Sequence, residues 1–267
     1  MAGAQVGRST KFTKLRILSM LTSVRSLLAA SVFATTVCLA VPAMAQEEDE
    51  GIGIEVSANV ALVSDYKFRG VSLSDGDIAI QGGVDLGLPA GFYIGTWASS
   101  LDETTVGFGS TELDIYGGWA GEFGSISTDI GVITYIYPNA GAGDFDYVEF
   151  YGSVGAAIGP AEATIGIAYA PDQDSLGSTD NFYVYTDVGV GITGTPVVLT
   201  GHVGYTDGFL TYTEDSKAWD FSVGAEAALG SILTAGVAYV GVEDDRSIDP
   251  TRTFTDDSVV FTLSASF

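Results

Sequence analysis

The sequence predicts an all-β chain that closes into a transmembrane, antiparallel, up-and-down β-barrel of twelve strands. Three observations carry the prediction. Apolar and polar residues alternate with a period of two over most of the chain, which gives each segment two unlike faces. The connections alternate between short turns and longer polar stretches, with both ends of the barrel segment on the short-turn side. The composition pairs strong acidity with a positive mean hydropathy of +0.31.

The elements follow in chain order. Residues 1–45 contain no Asp or Glu and carry five cations, Arg8, Lys11, Lys14, Arg16 and Arg25. An apolar run from Leu27 to Val41 leads into Ala43-Met44-Ala45, an A-x-A cleavage site. We read this as a Sec signal peptide cut after Ala45, not as a membrane helix. A start at Met20 would give a more ordinary n-region, so Met1 and Met20 both stand as start codons. Thr35-Thr36-Val37 before Cys38 is not a lipobox. Residues 46–52 open on Gln46-Glu47-Glu48-Asp49-Glu50, an acidic stub, and residues 53–267 form the expected barrel.

Within the barrel segment, Ile54, Val56, Ala58, Val60 and Leu62 alternate with Glu55, Ser57 and Asn59. Leu113, Ile115 and Trp119 alternate with Glu112, Asp114 and Tyr116. Ile126, Ile130, Val132 and Ile136 oppose Ser127, Asp129 and Tyr135, and Val148, Phe150, Val154 and Ile158 oppose Tyr147, Glu149, Tyr151 and Ser153. Phe182, Val184, Val188 and Val190 face away from Tyr183, Tyr185 and Asp187; Trp219, Phe221, Val223 and Ala225 face away from Asp220, Ser222 and Glu226. Val259, Phe261, Leu263, Ala265 and Phe267 end the chain on one face. Segments near 71–88, 92–99, 162–170, 197–205 and 232–241 complete the twelve. Five short turns fall at 89–91, 122–124, 159–161, 193–196 and 230–231. Six longer stretches fall near 65–74, 100–110, 138–145, 171–181, 206–217 and 242–257.

Composition excludes several function classes. After Ala45 the chain keeps 5 cations against 34 acids, a net charge of −29, with no Cys, no Met and one His. Thiolate chemistry, disulfides and Cys/His zinc sites have no ligands, and a basic nucleic-acid surface has no cations. We therefore expect no cofactor and no nucleic-acid partner. A secreted β-sandwich would also alternate. The terminal Phe267 above alternating apolar positions favours the barrel, since it resembles the C-terminal signal read by the outer-membrane barrel assembly machinery. Outer-membrane lipid and lipopolysaccharide are then the expected surroundings, in a Gram-negative bacterium, with a homo-oligomer open.

One stretch carries a resemblance. Ser64-Asp65-Tyr66-Lys67-Phe68-Arg69-Gly70-Val71-Ser72, with Gln81-Gly82-Gly83-Val84-Asp85, Gly91-Phe92-Tyr93-Ile94-Gly95-Thr96-Trp97 and Glu112-Leu113-Asp114-Ile115-Tyr116-Gly117-Gly118, resembles the TorF-type porin family of proteobacteria. The resemblance implies an exported barrel and a porin role. It supplies no substrate and no catalytic residue.

If the apolar face meets lipid, the other face lines a lumen. That assigns Glu55, Asp85, Glu112, Asp114, Tyr116, Asp129, Glu149, Tyr151, Glu162, Asp187, Asp220 and Glu226 inward, with Lys67 and Arg69 the only cations near barrel depth. A wall of carboxylates favours cations or neutral polar solutes over anions. The competing reading is a closed barrel, its inward acids paired with tyrosines and with Arg69, for which Asp85 and Glu112 are the expected partners. In that case function would lie in the acidic loops, at Asp172, Asp174, Glu214, Asp215, Glu243–Asp245, Asp256 and Asp257, where weak divalent-cation binding is a further option. His202 lies inward, but no G-x-S-x-G elbow or Ser/His pair accompanies it, so no enzyme is expected. Gly189–Gly194 matches G-x-G-x-x-G without a following helix, so no dinucleotide site follows. Trp119, Tyr169, Phe182, Tyr205, Trp219, Tyr239 and Phe267 form the expected membrane-interface anchors.

Overall fold

The computed structural model describes residues 53–267 apart from 106, 142, 144 and 244–253. The signal peptide and stub expected over 1–52, and Asp244 and Asp245 of the last acidic loop, lie outside the described residues.

Twelve strands close a single barrel: β1 (Glu55–Val63), β4 (Ala79–Gly87), β5 (Phe92–Ser100), β6 (Thr111–Phe123), β7 (Ile126–Ile136), β8 (Tyr147–Ile158), β9 (Ala161–Gln173), β10 (Thr179–Gly191), β11 (Val197–Gly208), β12 (Lys217–Ala228), β13 (Leu233–Val242) and β14 (Ser258–Ser266). The two intervening strands, β2 (Lys67–Phe68) and β3 (Val71–Ser72), form a separate small hairpin. Every barrel strand pairs antiparallel with its sequence neighbour, and β1 pairs with β14 from Asn59↔Ser266 to Val63↔Thr262 to close the ring. Strand lengths of 9–13 residues suit a tilted span of a bilayer. Closure leaves no unpaired edge, which matters where no water can satisfy backbone groups.

The alternation explains the shape. Val56, Ile80, Ile130, Phe150, Ile165, Val223 and Phe261 point outward and are exposed, and on the same strands Ala61, Gln81, Asp129, Glu149, Ala168, Asp220 and Thr262 are buried inward. The apolar side of each strand thus covers the outside of the ring and the polar side fills its interior, the inverse of a water-soluble core.

Two boundaries differ from expectation. The segment near 71–88 is a strand only over Ala79–Gly87, because Val71 and Ser72 belong to the hairpin. The stretch near 171–181 shrinks to Asp174–Ser178, because β9 and β10 extend past the expected ends and pair up to Gln173↔Thr179.

Candidate functional site

The connection 64–78 enters the barrel. Its hairpin pairs Lys67↔Ser72 and Phe68↔Val71, and its two central residues, Arg69 and Gly70, have φ of 49° and 80°. Two consecutive positive φ values are what a two-residue turn of type I′ requires. At Gly70 a Cβ would stand 3.0 Å from Asp220 Cβ and overlap Val242 Cγ2, so only glycine fits against β12 and β13. Tyr66, Lys67, Phe68, Arg69, Val71, Ser72 and Leu73 are all buried.

The hairpin crosses the lumen. In the ring, β9 stands six strands from β1 in either direction. Arg69 reaches the strands on both sides of it. Its Nη2 donates to Glu149 Oε1 and Oε2 on β8 at 2.8 and 2.7 Å, and its Cζ lies 4.3 Å from the Tyr183 ring centroid on β10. Between them β9 offers only Ala168 and Ala170, both fully buried. Tyr135 donates to Glu149 Oε2 at 3.1 Å and stacks on Tyr147 at 4.3 Å, while Phe68 packs edge-on to Tyr135 at 5.9 Å. On the near side, the Tyr66 hydroxyl donates to Glu112 Oε1 at 2.8 Å.

The remaining acids are held mainly by tyrosines and one histidine. Glu112 also accepts from Tyr137 at 3.0 Å, Asp129 accepts from Tyr93 at 2.7 Å, and Asp85 accepts from Tyr116 at 2.5 Å. His202 sits between two carboxylates, with Nδ1 2.6 Å from Asp187 Oδ1 and Nε2 2.9 Å from Asp220 Oδ1. The Tyr183 hydroxyl lies 2.9 Å from His202 Nε2 and 3.1 Å from Asp220 Oδ1, so the histidine, the tyrosine and the two carboxylates form one network. Asp114 is fully buried and neither carboxylate oxygen has a hydrogen-bond partner among the described residues. Burying an unpaired carboxylate is costly, which makes Asp114 the least satisfied acid of the wall.

The tyrosines lie on glycines of the neighbouring strand. Tyr93 pairs with Gly118, Tyr151 with Gly131 and Tyr185 with Gly166, and a Cβ on any of these glycines would overlap the ring. Glycine at these lumen positions makes room for rings lying flat along the wall.

A family model described as a bacterial protein of unknown function, Gcw_chp, matches residues 47–267. The chain belongs to the Gcw_chp family. No curated protein is similar to it in sequence. Among solved structures, this Gcw_chp barrel is similar to a KdgM porin in complex with disordered oligogalacturonate, with a TM-score of 0.52 at 6% identity over 79% of this chain and 97% of that one. It is also similar to the NanC porin, with a TM-score of 0.54 at 11% identity over 80% and 99%. At such identities the likeness is one of fold.

The acids of the Gcw_chp lumen fall into two tiers. Glu112, Asp114, Glu149 and Asp220 sit toward the loop end, around the hairpin, and are at most 1% exposed. Glu55 lies near the turn end and is exposed, while Asp85 near that end and Asp187 further along are part-buried. Glu226 near that end is 8% exposed with Oε2 unpartnered. Tyr116 and Tyr151 line the wall between the tiers. One expectation needs correction. Lys67 and Arg69, the cations expected near barrel depth, sit there on the inserted hairpin, Lys67 ending 3.4 Å from Asp65 and 2.7 Å from the Asp256 carbonyl. Arg69 pairs with Glu149, not with Asp85 or Glu112, because the hairpin carries it past the near wall to the far one.

Sequence reasoning missed the cover over the loop end. Phe108 packs on Tyr137 at 4.4 Å, on Phe145 at 5.8 Å and on Tyr212 at 6.4 Å, and Tyr212 packs on Phe254 at 5.9 Å. Ser72 N donates to the Phe254 carbonyl at 2.7 Å and Asp102 N to the Leu73 carbonyl at 2.9 Å, which ties this cover to the hairpin. The available signal was the presence of aromatics in otherwise polar loops. On the outside, Tyr169, Trp219 and Tyr239 stand exposed near the loop end, while Trp119 and Phe267 stand near the turn end, with Trp119 Nε1 donating to the Ala90 carbonyl at 2.8 Å.

Proposed function

We propose that this barrel spans the outer membrane and passes small cationic or neutral polar solutes through an acidic, tyrosine-lined lumen that the hairpin 65–74 closes. The observation that carries the proposal is the inversion of the strand faces: an apolar outer surface around an interior of buried carboxylates against, among the described residues, two buried lysine or arginine side chains. A continuous apolar belt on a folded surface belongs in lipid. The outward Trp119, Tyr169, Trp219, Tyr239 and Phe267 then anchor the two interfaces. Carboxylates at the turn end raise local cation concentration and repel anions. The KdgM porin was solved with oligogalacturonate, a polyanion, and the carboxylates of this lumen would repel such a ligand. The resemblance to TorF-type porins supports the channel class.

The test is a planar-bilayer recording of the mature chain under a KCl gradient. Brief openings with a reversal potential of cation sign are expected, weakened in Asp85→Asn with Glu226→Gln. A second reading, a closed barrel acting through its loops, is favoured by the aromatic cover and the filled loop end. Silence at every voltage would support it.

A further inference from the structure

The hairpin places a guanidinium in a pocket built like a ligand site. Glu149 supplies both oxygens to one nitrogen, Tyr183 presents its ring face at 4.3 Å, and the stacked Tyr135 and Tyr147 orient the carboxylate from the other side. Every group that satisfies the Arg69 charge belongs to the barrel wall except Phe68, whose ring centroid lies 4.8 Å away. The fit is incomplete. Nη1 of Arg69 is buried with no hydrogen-bond partner among the described residues, and Arg69 holds the positive φ of 49° that residues with a Cβ seldom adopt. The barrel thus offers a cation site occupied by a tethered side chain that is held with one donor unmet and a strained backbone.

We infer that Glu149, Tyr135, Tyr147 and Tyr183 form a binding site for small organic cations with a guanidinium or ammonium head, that Arg69 is its internal competitor, and that a solute of this chemistry displaces the hairpin as it binds. The aromatic faces select the class, since a ring face attracts poorly hydrated organic cations and a carboxylate beside it completes the charge. A small inorganic ion would leave the Tyr183 face unused. Displacement follows from competition: ligand and Arg69 cannot share Glu149, so binding shifts the hairpin toward its released state. The inference names the solute class of the channel proposed above and rests on that reading only for passage, not for binding.

The probe is methylguanidinium at millimolar concentration, with NaCl at matched ionic strength as the control, on the folded mature barrel in detergent. Isothermal titration should show binding to the wild type. Arg69→Ala should bind at least about tenfold more tightly, because apparent affinity is reduced by the fraction of molecules whose site is occupied internally. Glu149→Gln should abolish binding. In the wild type, which needs no substitution to fold, methylguanidinium but not NaCl should accelerate tryptic cleavage after Arg69. Absence of binding to folded Arg69→Ala, binding unchanged in Glu149→Gln, or cleavage equally fast in NaCl would each overturn the inference. Binding together with silent bilayers would leave the site standing and remove the channel. Cation-selective currents without methylguanidinium binding would do the reverse.

Discussion

Replacing Glu149 by Gln isolates what keeps the hairpin inside. The pair is almost completely dry, with side-chain exposures of 4% for Arg69 and 0% for Glu149. Removing one partner of such a pair leaves the other charge buried and costs about 3–5 kcal/mol. Part of that is offset, since the introduced amide can still accept one bond and the Tyr183 face contributes about 0.5–2 kcal/mol to a desolvated guanidinium. The net loss, about 2–4 kcal/mol, lowers the closed-to-released ratio roughly 30- to 1,000-fold at 1.36 kcal/mol per factor of ten. Trypsin reads the released state, because its target bonds after Lys67 and Arg69 sit on residues only 4% and 7% exposed. When reclosing is faster than cleavage, the rate follows the released population. Cleavage after Lys217, whose side chain is 51% exposed in its pair with Asp207, serves as the internal reference. Cleavage after Arg69 should rise by at least an order of magnitude in Glu149→Gln while cleavage after Lys217 does not. The double variant Arg69→Gln with Glu149→Gln should regain protection after Lys67, since no unpaired charge is then buried. Equal rates in wild type and Glu149→Gln would refute the latch.

Three further outcomes follow from the same geometry. Val223→Arg, at a mid-strand position 65% exposed to the outside, should destabilise the barrel in lipid vesicles by about 2–4 kcal/mol in a urea titration; no loss would deny that this face meets lipid. Gly166→Val drives a side chain into the Tyr185 ring and should lower the urea midpoint by an amount equivalent to about 1–3 kcal/mol. An unchanged midpoint would mean that the ring moves freely. In the loop after β5, the Thr104 hydroxyl, then the Thr105 hydroxyl and both amides, donate to Asp102 and hold its carboxyl below the usual range. A depressed carboxylate stabilises the loop above the unfolded pKa of about 3.9, and that contribution is lost as pH falls through the folded value. Exchange protection of the Thr104 and Thr105 amides should therefore drop in acid, and Asp102→Asn should remove the dependence.

The barrel was legible because its two faces obey one rule over most of its strands. A period of two with apolar residues on one phase sorts Phe150 and Val154 outward and Tyr147 and Glu149 inward without reference to any partner strand. The hairpin breaks that rule. Val71 and Leu73 alternate like lipid-facing residues yet are 1% exposed in the lumen, so their pattern merged with that of β4. What marked the hairpin was the pair of cations at barrel depth, since a charge placed there must find an acid. Which acid could not be read from spacing. Arg69 and Glu149 are 80 positions apart and meet only because the loop crosses the lumen, past the nearer Glu112. The tyrosine rows were visible as residues, but their flat packing depends on glycines on the adjacent strand, a register relation that single-segment periodicity does not carry. His202 likewise gained its two carboxylates from the flanking strands β10 and β12.

The most direct test is conductance after the hairpin is removed. Replacing residues 66–73 by a short Gly-Ser linker takes away Arg69 and the Tyr66 contact to Glu112 and leaves the twelve barrel strands intact. In planar bilayers under a KCl gradient this variant should show frequent single-channel steps with a reversal potential of cation sign, where the wild type opens only briefly. A folded variant that stays silent, or one that prefers anions, would contradict an acidic lumen closed by its own hairpin.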